Sequence, residues 1–250
     1  MLASLLLRLA VALAVGATFP LSAAEKALRL AATTTTDNSG LLARLLPIFE
    51  AKTGIRVRVL AVGTGRALRA ARNGDADVLL VHDRTAELKF VADGYGFERR
   101  EVMYNHFIVV GPKDDPAGIN GLEDAVAAFR RIEKARVIFV SRGDDSGTHK
   151  AERRLWKAAG IDPTAGSHRW YREAGAGMGA ILNMAAAMNA YTLSDRGTWL
   201  SFRNRRALTV LAQGDPRLFN QYSIILVNPA KHPHVKLTEA RALADWITSA

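Results

Sequence analysis

The chain contains no cysteine among its 250 residues. A protein without cysteine forms no disulfide, and no lipid can be attached to it at a cleavage-site cysteine. The absence permits an oxidising compartment without indicating one. Any stability in such a compartment must come from the packed core.

Long apolar runs are also missing. The stretch Leu5–Val15 is broken by Arg8 and is too short for a membrane-spanning helix, which needs about 20 apolar residues. It leads to Ser22-Ala23-Ala24, which fits the small-residue cleavage rule of secretory signal peptides. We predict that residues 1–24 are a signal peptide and that the mature protein is periplasmic; an uncleaved membrane anchor is the alternative.

Sequence signals for nucleotides and metals are weak. No internal repeat, coiled coil or low-complexity tract is present. Gly63-Thr64-Gly65 is not followed by the Lys-Ser/Thr of a phosphate loop. Of the six histidines, His232 and His234 are the one close pair, and no carboxylate lies at ligand spacing from them. We predict no cofactor and no bound metal cation.

Positive charge is in excess, with a formal net charge of +10 that becomes +9 without the first 24 residues. The basic residues are scattered through helical segments, and no aromatic-rich RNA-binding signature accompanies them. Export would also remove the usual nucleic-acid partner. We interpret the charge as a solvated surface that attracts small anions.

Strand-like and helical patterns alternate along the chain, which predicts an α/β protein with a mostly parallel sheet. In such sheets ligands bind at the carboxyl ends of the strands. The apolar strands at 102–110 and 222–227 look like crossings out of a first lobe and back into it. We predict a first lobe of residues 25–106 and 222–250 and a second lobe of residues 107–221.

The loop Ser141–His149 is the strongest candidate site, because it lies between an apolar strand and a helix. It holds a cation, Arg142, and two hydroxyls, Ser146 and Thr148, at the positive end of a helix dipole, which suits an anion. A second interpretation makes Ser146 a nucleophile with His149 as base, although the G-x-S-x-G elbow is absent. Capping of the helix by Asp145 or Ser146 is compatible with either.

Two earlier loops and one later turn repeat this pattern. Thr33–Thr36 follows a strand and precedes a helix, and its hydroxyls can donate without adding negative charge. A simple strand continuation with a helix cap is the alternative for that run. Gly63-Thr64-Gly65 also opens a helix, and Gly175–Gly179 could present backbone N–H groups or allow close helix packing.

Several of these motifs, in the same order, resemble those of the periplasmic tungstate-binding proteins of tungstate ABC importers. The segments that carry the resemblance are Thr33–Leu42, Val62–Leu68, Gly74–His82, Val102–Asn105 and Ser141–His149. The resemblance implies a type II periplasmic binding protein with a ligand cleft between two lobes. It also implies a protein that is not an enzyme and that delivers an oxyanion to an inner-membrane permease and its ATPase. We expect this protein to be a monomer.

This sequence departs from the family pattern at three positions. Thr35 stands where serine is usual, His106 where an acidic residue is expected near the hinge, and Ala176 where glutamine is common. The hydroxyl at position 35 survives, whereas the change at position 176 removes a polar contact.

The residues and the resemblance together predict an oxyanion site. Its candidate donors are Thr34, Thr35 and Thr64 from the first lobe and Arg142, Ser146 and Thr148 from the second. Tungstate is the expected ligand, with molybdate or another oxyanion as the alternative because its size and charge nearly coincide. A secreted serine hydrolase and a basic interaction module stay open as other classes.

Overall fold

Strands and helices alternate through the computed structural model, which describes residues 27–165 and 169–249. The predicted signal peptide, residues 1–24, lies outside the described residues, as does His168. Within the described ranges, no helix is both long enough and apolar enough to cross a membrane.

The strands in these ranges are β1 (Ala27–Thr33), β2 (Arg56–Val62), β3 (Val78–Val81), β4 (Gly96–Pro112), β5 (Phe139–Ser141), β6 (Tyr171–Glu173), β7 (Thr192–Asp195), β8 (Leu208–Ala212) and β9 (Phe219–Val227). The helices are α1 (Thr34–Asn38), α2 (Leu41–Thr53), α3 (Thr64–Arg72), α4 (Arg84–Ala92), α5 (Ala125–Ala135), α6 (Gly147–Ala159), α7 (Met178–Met188), α8 (Arg196–Ser201) and α9 (Leu237–Thr248).

The first lobe is built on a sheet in the order β2-β1-β3-β9-β4. β1 pairs in parallel with β2 and β3, whereas β9 is antiparallel to both of its neighbours. Along β3, Val78 and Leu80 face an apolar cluster with α2 and α9, while Leu79 and Val81 face another with α3 and α4. This alternation buries both faces of the sheet, as expected of a strand between two helical layers.

The second lobe repeats the three-layer plan. The later half of β4 is antiparallel to β7 and β8, β5 is parallel to β6, and backbone hydrogen bonds to Tyr191 join β5 to this sheet. Phe107 and Val109 face α5 and α6, while Ile108 and Val110 face α7 and α8. Each lobe therefore has its own core.

The two lobes share β4. Its residues Gly96–His106 pair with β9 in the first sheet, and Phe107–Val110 pair with β7 in the second. The sequence predicts mostly parallel sheets, whereas the observed sheets are mixed. The reason is that the crossing strands β4 and β9 run antiparallel to their neighbours. The lobe limits of 25–106, 222–250 and 107–221 stay a prediction.

Candidate functional site

Arg142 is the buried cation between the lobes, with 1% of its surface exposed. Its Nη2 donates to Asp144 Oδ2 at 2.6 Å and to Thr34 Oγ1 at 3.0 Å. Its Nε and Nη1 are buried, and neither has a hydrogen-bond partner among the described residues. Because Thr34 lies in the first lobe, this contact joins the lobes and leaves two guanidinium nitrogens available to a ligand.

Asp144 balances this charge. Burial alone would raise the pKa of the Asp144 carboxyl, but the Arg142 guanidinium and hydrogen bonds from Ser146 bring that pKa below its usual value. The ionised carboxylate accepts from Arg142 through Oδ2 and from the Ser146 N–H through Oδ1 at 3.2 Å. Each oxygen of the Asp144 carboxylate therefore already accepts one hydrogen bond. Arg142 Nη2 is held by Asp144 and Thr34 rather than left for a ligand.

Two hydroxyls are buried without a partner. Thr64 is the first residue of α3 and Thr148 the second residue of α6; the Oγ1 atoms of both have no hydrogen-bond partner in the described chain. The first N–H groups of a helix lack intrahelical acceptors, so both helix starts carry partial positive charge. These two starts thus supply hydroxyls that have no partner among the described residues, at helix ends that favour negative charge.

The two helix starts are in contact across the cleft. A Cβ placed on Gly63 would lie 3.2 Å from the Ser146 Cα, and the Gly65 N–H donates to the Asp145 carbonyl at 3.2 Å. A Cβ on Gly65 would lie 2.9 Å from the Asp145 carbonyl oxygen, closer than a Cβ normally comes to the backbone, so glycine favours this approach. The lobes are therefore closed on each other at this point.

Ser146 serves as the N-cap of α6. Its Oγ accepts from the backbone N–H of His149 at 3.2 Å. The His149 ring does not meet that hydroxyl: its Nδ1 accepts from the Asp145 N–H, and its Nε2 lies 3.4 Å from Glu173. The predicted helix cap is present, and the described residues hold no Ser146–His149 dyad for a hydrolase.

Thr35 differs from the other predicted donors. Its Oγ1 lies 3.1 Å from His82 Nε2, 2.9 Å from Thr33 Oγ1 and 3.4 Å from the Tyr222 hydroxyl. These contacts engage the hydroxyl inside the first lobe. A direct contact of the Thr35 hydroxyl with a ligand therefore has less support than that of Thr34, Thr64 or Thr148.

The glycine turn lies beside the same space. Gly177 is the N-cap of α7, and a Cβ on it would lie 3.9 Å from Thr34 Oγ1. The Ala176 N–H donates to the Arg142 carbonyl at 3.1 Å, and this hydrogen bond joins the glycine turn to the Ser141–His149 loop. His106 lies instead on the crossing strand, in edge contact with Tyr104 and Phe219.

Sequence reasoning missed the residues that support Thr35. In the sequence, His82 ends the Gly74–His82 segment and Tyr222 begins the predicted strand 222–227, but neither position indicates a role at the site, and Asn220 lies outside that strand. Asn220 contacts His82 across 138 positions in sequence, which no local signal encodes. Among the described residues no group of three His, Cys, Asp or Glu side chains could hold a metal ion.

Donors from both lobes thus surround the junction of Thr34, Arg142 and the starts of α3 and α6. Neutral hydroxyls, helix N–H groups and one partly balanced guanidinium suit a small anion that must be held away from water. The fold and site define a two-lobed solute-binding protein with an interlobe anion site.

The chain belongs to the PBP superfamily, whose domain model matches residues 21–250. A Haloferax volcanii protein named for anion binding in an ABC transporter is 52% identical over 89% of this chain, which spans 66% of that protein's length. The tungstate-binding protein TupA of Peptoclostridium acidaminophilum is 48% identical over 90% of this chain and 79% of its own.

A solved structure of a tungstate transporter protein is also similar to this chain. The tungstate ABC transporter structure from Geobacter sulfurreducens is 50% identical, with a TM-score of 0.81 over 90% of this chain and 95% of that one. The resemblance to tungstate-binding proteins and the two-lobed α/β fold are confirmed. The expectation that the chain is a solute-binding protein and not an enzyme is also confirmed by these relatives.

Proposed function

We propose that this chain is the periplasmic binding component of an ABC importer and that it captures tungstate. The observation that carries the proposal is a group of buried donors at the cleft that have no hydrogen-bond partner among the described residues, namely Arg142 Nε and Nη1, Thr64 Oγ1 and Thr148 Oγ1. Buried polar groups normally have a hydrogen-bond partner, so a group of such donors between two lobes supports an anion as their acceptor. The relatives named for tungstate binding support the same ligand.

The proposed donor shell comprises Thr34, Thr64, Arg142 and Thr148. Ser146 supports it indirectly, because it caps α6 and so holds the Ser141–His149 loop in place. Thr34 Oγ1 accepts from Arg142, which leaves its own proton free to donate to the anion. Because the donors come from both lobes, closing the cleft completes the shell, and binding stabilises the closed form.

The shell favours an oxyanion that carries no proton. Hydrogen phosphate needs an acceptor for its proton, and the nearby Asp144 carboxylate is already engaged by Arg142 and Ser146. A site that leaves a polar group unpaired discriminates against that ligand. Molybdate differs little from tungstate in size and charge, so this argument does not separate the two.

The place of the protein in transport follows from this proposal. The signal peptide at residues 1–24 would take the chain to the periplasm, where it would pass tungstate to a membrane permease driven by an ATPase. We propose that it acts as a monomer, since each lobe supplies its own core and the site lies within one chain.

Calorimetric titration of the purified protein with tungstate, molybdate, sulfate and phosphate tests the function. We expect tight binding of tungstate, weaker or no binding of sulfate and phosphate, and a higher melting temperature with tungstate by mass action. If none of the four anions binds or shifts the melting temperature, the protein is not an oxyanion carrier.

The variant Arg142→Ala tests the site. Its tungstate affinity should fall roughly ten- to hundredfold, because a hydrogen bond to a charged group is worth about 1.5–3 kcal/mol. Arg100→Ala is the matched control, since Arg100 pairs with Glu98 and Asp245 on the outside of the first lobe. Unchanged affinity in Arg142→Ala, or an equal loss in the control, would exclude Arg142 as the anion ligand.

A further inference from the structure

Four buried side chains behind the candidate site form a closed ring of hydrogen bonds. His82 Nδ1 lies 2.9 Å from Asn220 Oδ1, and His82 Nε2 lies 3.1 Å from Thr35 Oγ1. The Tyr222 hydroxyl lies 3.4 Å from Thr35 Oγ1 and 3.4 Å from Asn220 Nδ2, which closes the ring. All four residues are at most 3% exposed.

The donors in this ring run in one direction. Asn220 Oδ1 can only accept, so His82 Nδ1 carries the proton and His82 Nε2 is the acceptor. Thr35 must then donate its hydroxyl proton to His82 Nε2. Tyr222 donates to Thr35, and Asn220 Nδ2 donates to Tyr222. Within the ring each hydroxyl thus donates once and accepts once, a pattern in which neighbouring hydrogen bonds strengthen one another. Thr35 Oγ1 also lies 2.9 Å from Thr33 Oγ1, which is outside the ring.

The surroundings of His82 hold this arrangement. Its ring is stacked on Tyr222, with centroids 4.6 Å apart and planes 20° apart. A Cβ on Gly147 would lie 2.6 Å from the His82 carbonyl oxygen, so the start of α6 packs directly on it. Burial lowers the pKa of His82 to about 3, and the residue is therefore neutral at physiological pH.

We propose that His82 and Thr35 are positioning residues of the anion site. In the Nδ1–H tautomer His82 Nε2 accepts a hydrogen bond from the Thr35 hydroxyl and fixes the start of α1, which keeps the Thr34 hydroxyl against Arg142. The inference deepens the proposed function and rests on it. It also changes the role predicted for Thr35, whose hydroxyl supports the site rather than donating to the anion.

The tautomer of His82 is a direct test, since free histidine favours a proton on Nε2. Long-range nitrogen–proton NMR spectra of the ¹⁵N-labelled protein, without any anion, report which nitrogen is protonated; His82→Phe assigns the signal. We expect protonated Nδ1, bare Nε2 and no titration between about pH 5 and pH 8. A protonated Nε2, or titration near the ordinary value of 6.5, would overturn the inference.

Titration with sodium tungstate tests the positioning role. Thr35→Val removes the hydroxyl, and His82→Phe removes both ring nitrogens while keeping an aromatic ring against Tyr222. Each should weaken binding by about three- to tenfold, the worth of one neutral hydrogen bond, and the double variant should be no weaker than the worse single one. Thr35→Ser keeps the hydroxyl and should bind like the unaltered protein.

Additive losses in the double variant would make Thr35 a direct anion donor and overturn the proposal. If His82→Phe does not fold, Tyr222→Phe takes its place, because it deletes only the hydroxyl that donates to Thr35. Failure of the unaltered protein to bind tungstate would count against the proposed function alone, since the NMR test needs no ligand.

Discussion

The Thr64 and Thr148 hydroxyls are buried at the cleft, and neither has a hydrogen-bond partner within residues 27–165 and 169–249. An unpaired buried hydroxyl costs free energy in a folded protein, and a bound anion that accepts from it recovers that cost. We therefore expect Thr64 and Thr148 to contribute to binding and not to the stability of the ligand-free protein. This separates them from threonines whose hydroxyls are paired inside the fold.

Thr64→Val and Thr148→Val should each weaken tungstate binding by about three- to tenfold without lowering the ligand-free free energy of unfolding, because valine keeps the shape and removes an unpaired hydroxyl. Calorimetry measures the affinity and urea unfolding measures the stability. Thr192→Val is the matched control, since its buried hydroxyl donates to the Val140 carbonyl at 2.8 Å. The control should lose about 1 kcal/mol of stability and keep its affinity; the reverse pattern would contradict this assignment.

At the scale of elements, α6 follows the Ser141–His149 loop and carries a buried carboxyl, Glu152, in its second turn. Glu152 accepts from the Ser141 hydroxyl, the Tyr171 hydroxyl and the Trp156 indole N–H, at 2.8, 2.8 and 3.1 Å. Ser141 immediately precedes Arg142, so this carboxyl anchors the loop to the body of the second lobe. Burial raises the pKa of Glu152 from 4.5 to about 7.

This raised pKa sets a pH dependence of stability. A carboxyl with a higher pKa in the folded protein than in the unfolded chain binds its proton more tightly when folded. Its stabilising contribution is complete below about pH 4.5 and is lost as the pH rises through about 7. The ionised form remains folded because three donors face it.

Glu152→Gln should remove this dependence. From about pH 5 to pH 8 the unaltered protein should lose about 1–3 kcal/mol of unfolding free energy relative to the variant. Urea unfolding of both proteins at the two pH values measures the difference. Because the other titrating groups are common to both proteins, parallel pH profiles would show that Glu152 does not titrate in this range.

At the scale of the whole molecule, ion pairs as well as the anion site hold the lobes together. Asp83, in the first lobe with a side chain 4% exposed, lies 3.4 Å from Lys150 Nζ and 3.5 Å from Arg154 Nη1 of α6. Arg69 of α3 pairs with Asp145 at 3.1 Å across the same cleft. Partly exposed pairs of this kind are worth little singly, but each joins the two lobes, so we expect opening of the cleft to break them.

Lys150→Ala should therefore weaken tungstate binding by about two- to fivefold at roughly 50 mM salt, and the difference should shrink at about 500 mM salt. Calorimetry at both salt concentrations measures this. Lys157→Ala removes the same charge from the same helix, and Lys157 makes no interlobe ion pair in the described part of the chain. Equal losses in the two variants would mean that Lys150 acts through general attraction and not through lobe closure.

The sequence by itself determined the class of this protein. Apolar periodicity located the strands and helices, and donor-rich residues at the strand ends marked the loops that Arg142, Thr64 and Thr148 occupy. These signals are local, because a strand repeats every two residues and a helix every 3.6. The order of the motifs then sufficed to place the chain among the tungstate-binding proteins.

Only the tertiary structure decided which donors are free. All three of Thr34, Thr35 and Thr64 are threonines, yet the Thr35 hydroxyl lies against His82 and the Thr34 hydroxyl accepts from Arg142. The Thr64 hydroxyl has no partner in the part of the chain that the structure describes. The antiparallel pairing of β3 with β9, which brings Asn220 beside His82, was equally hidden. Hydrogen bonds depend on directions and distances between groups far apart in the chain, and those are set only when the lobes have folded and closed.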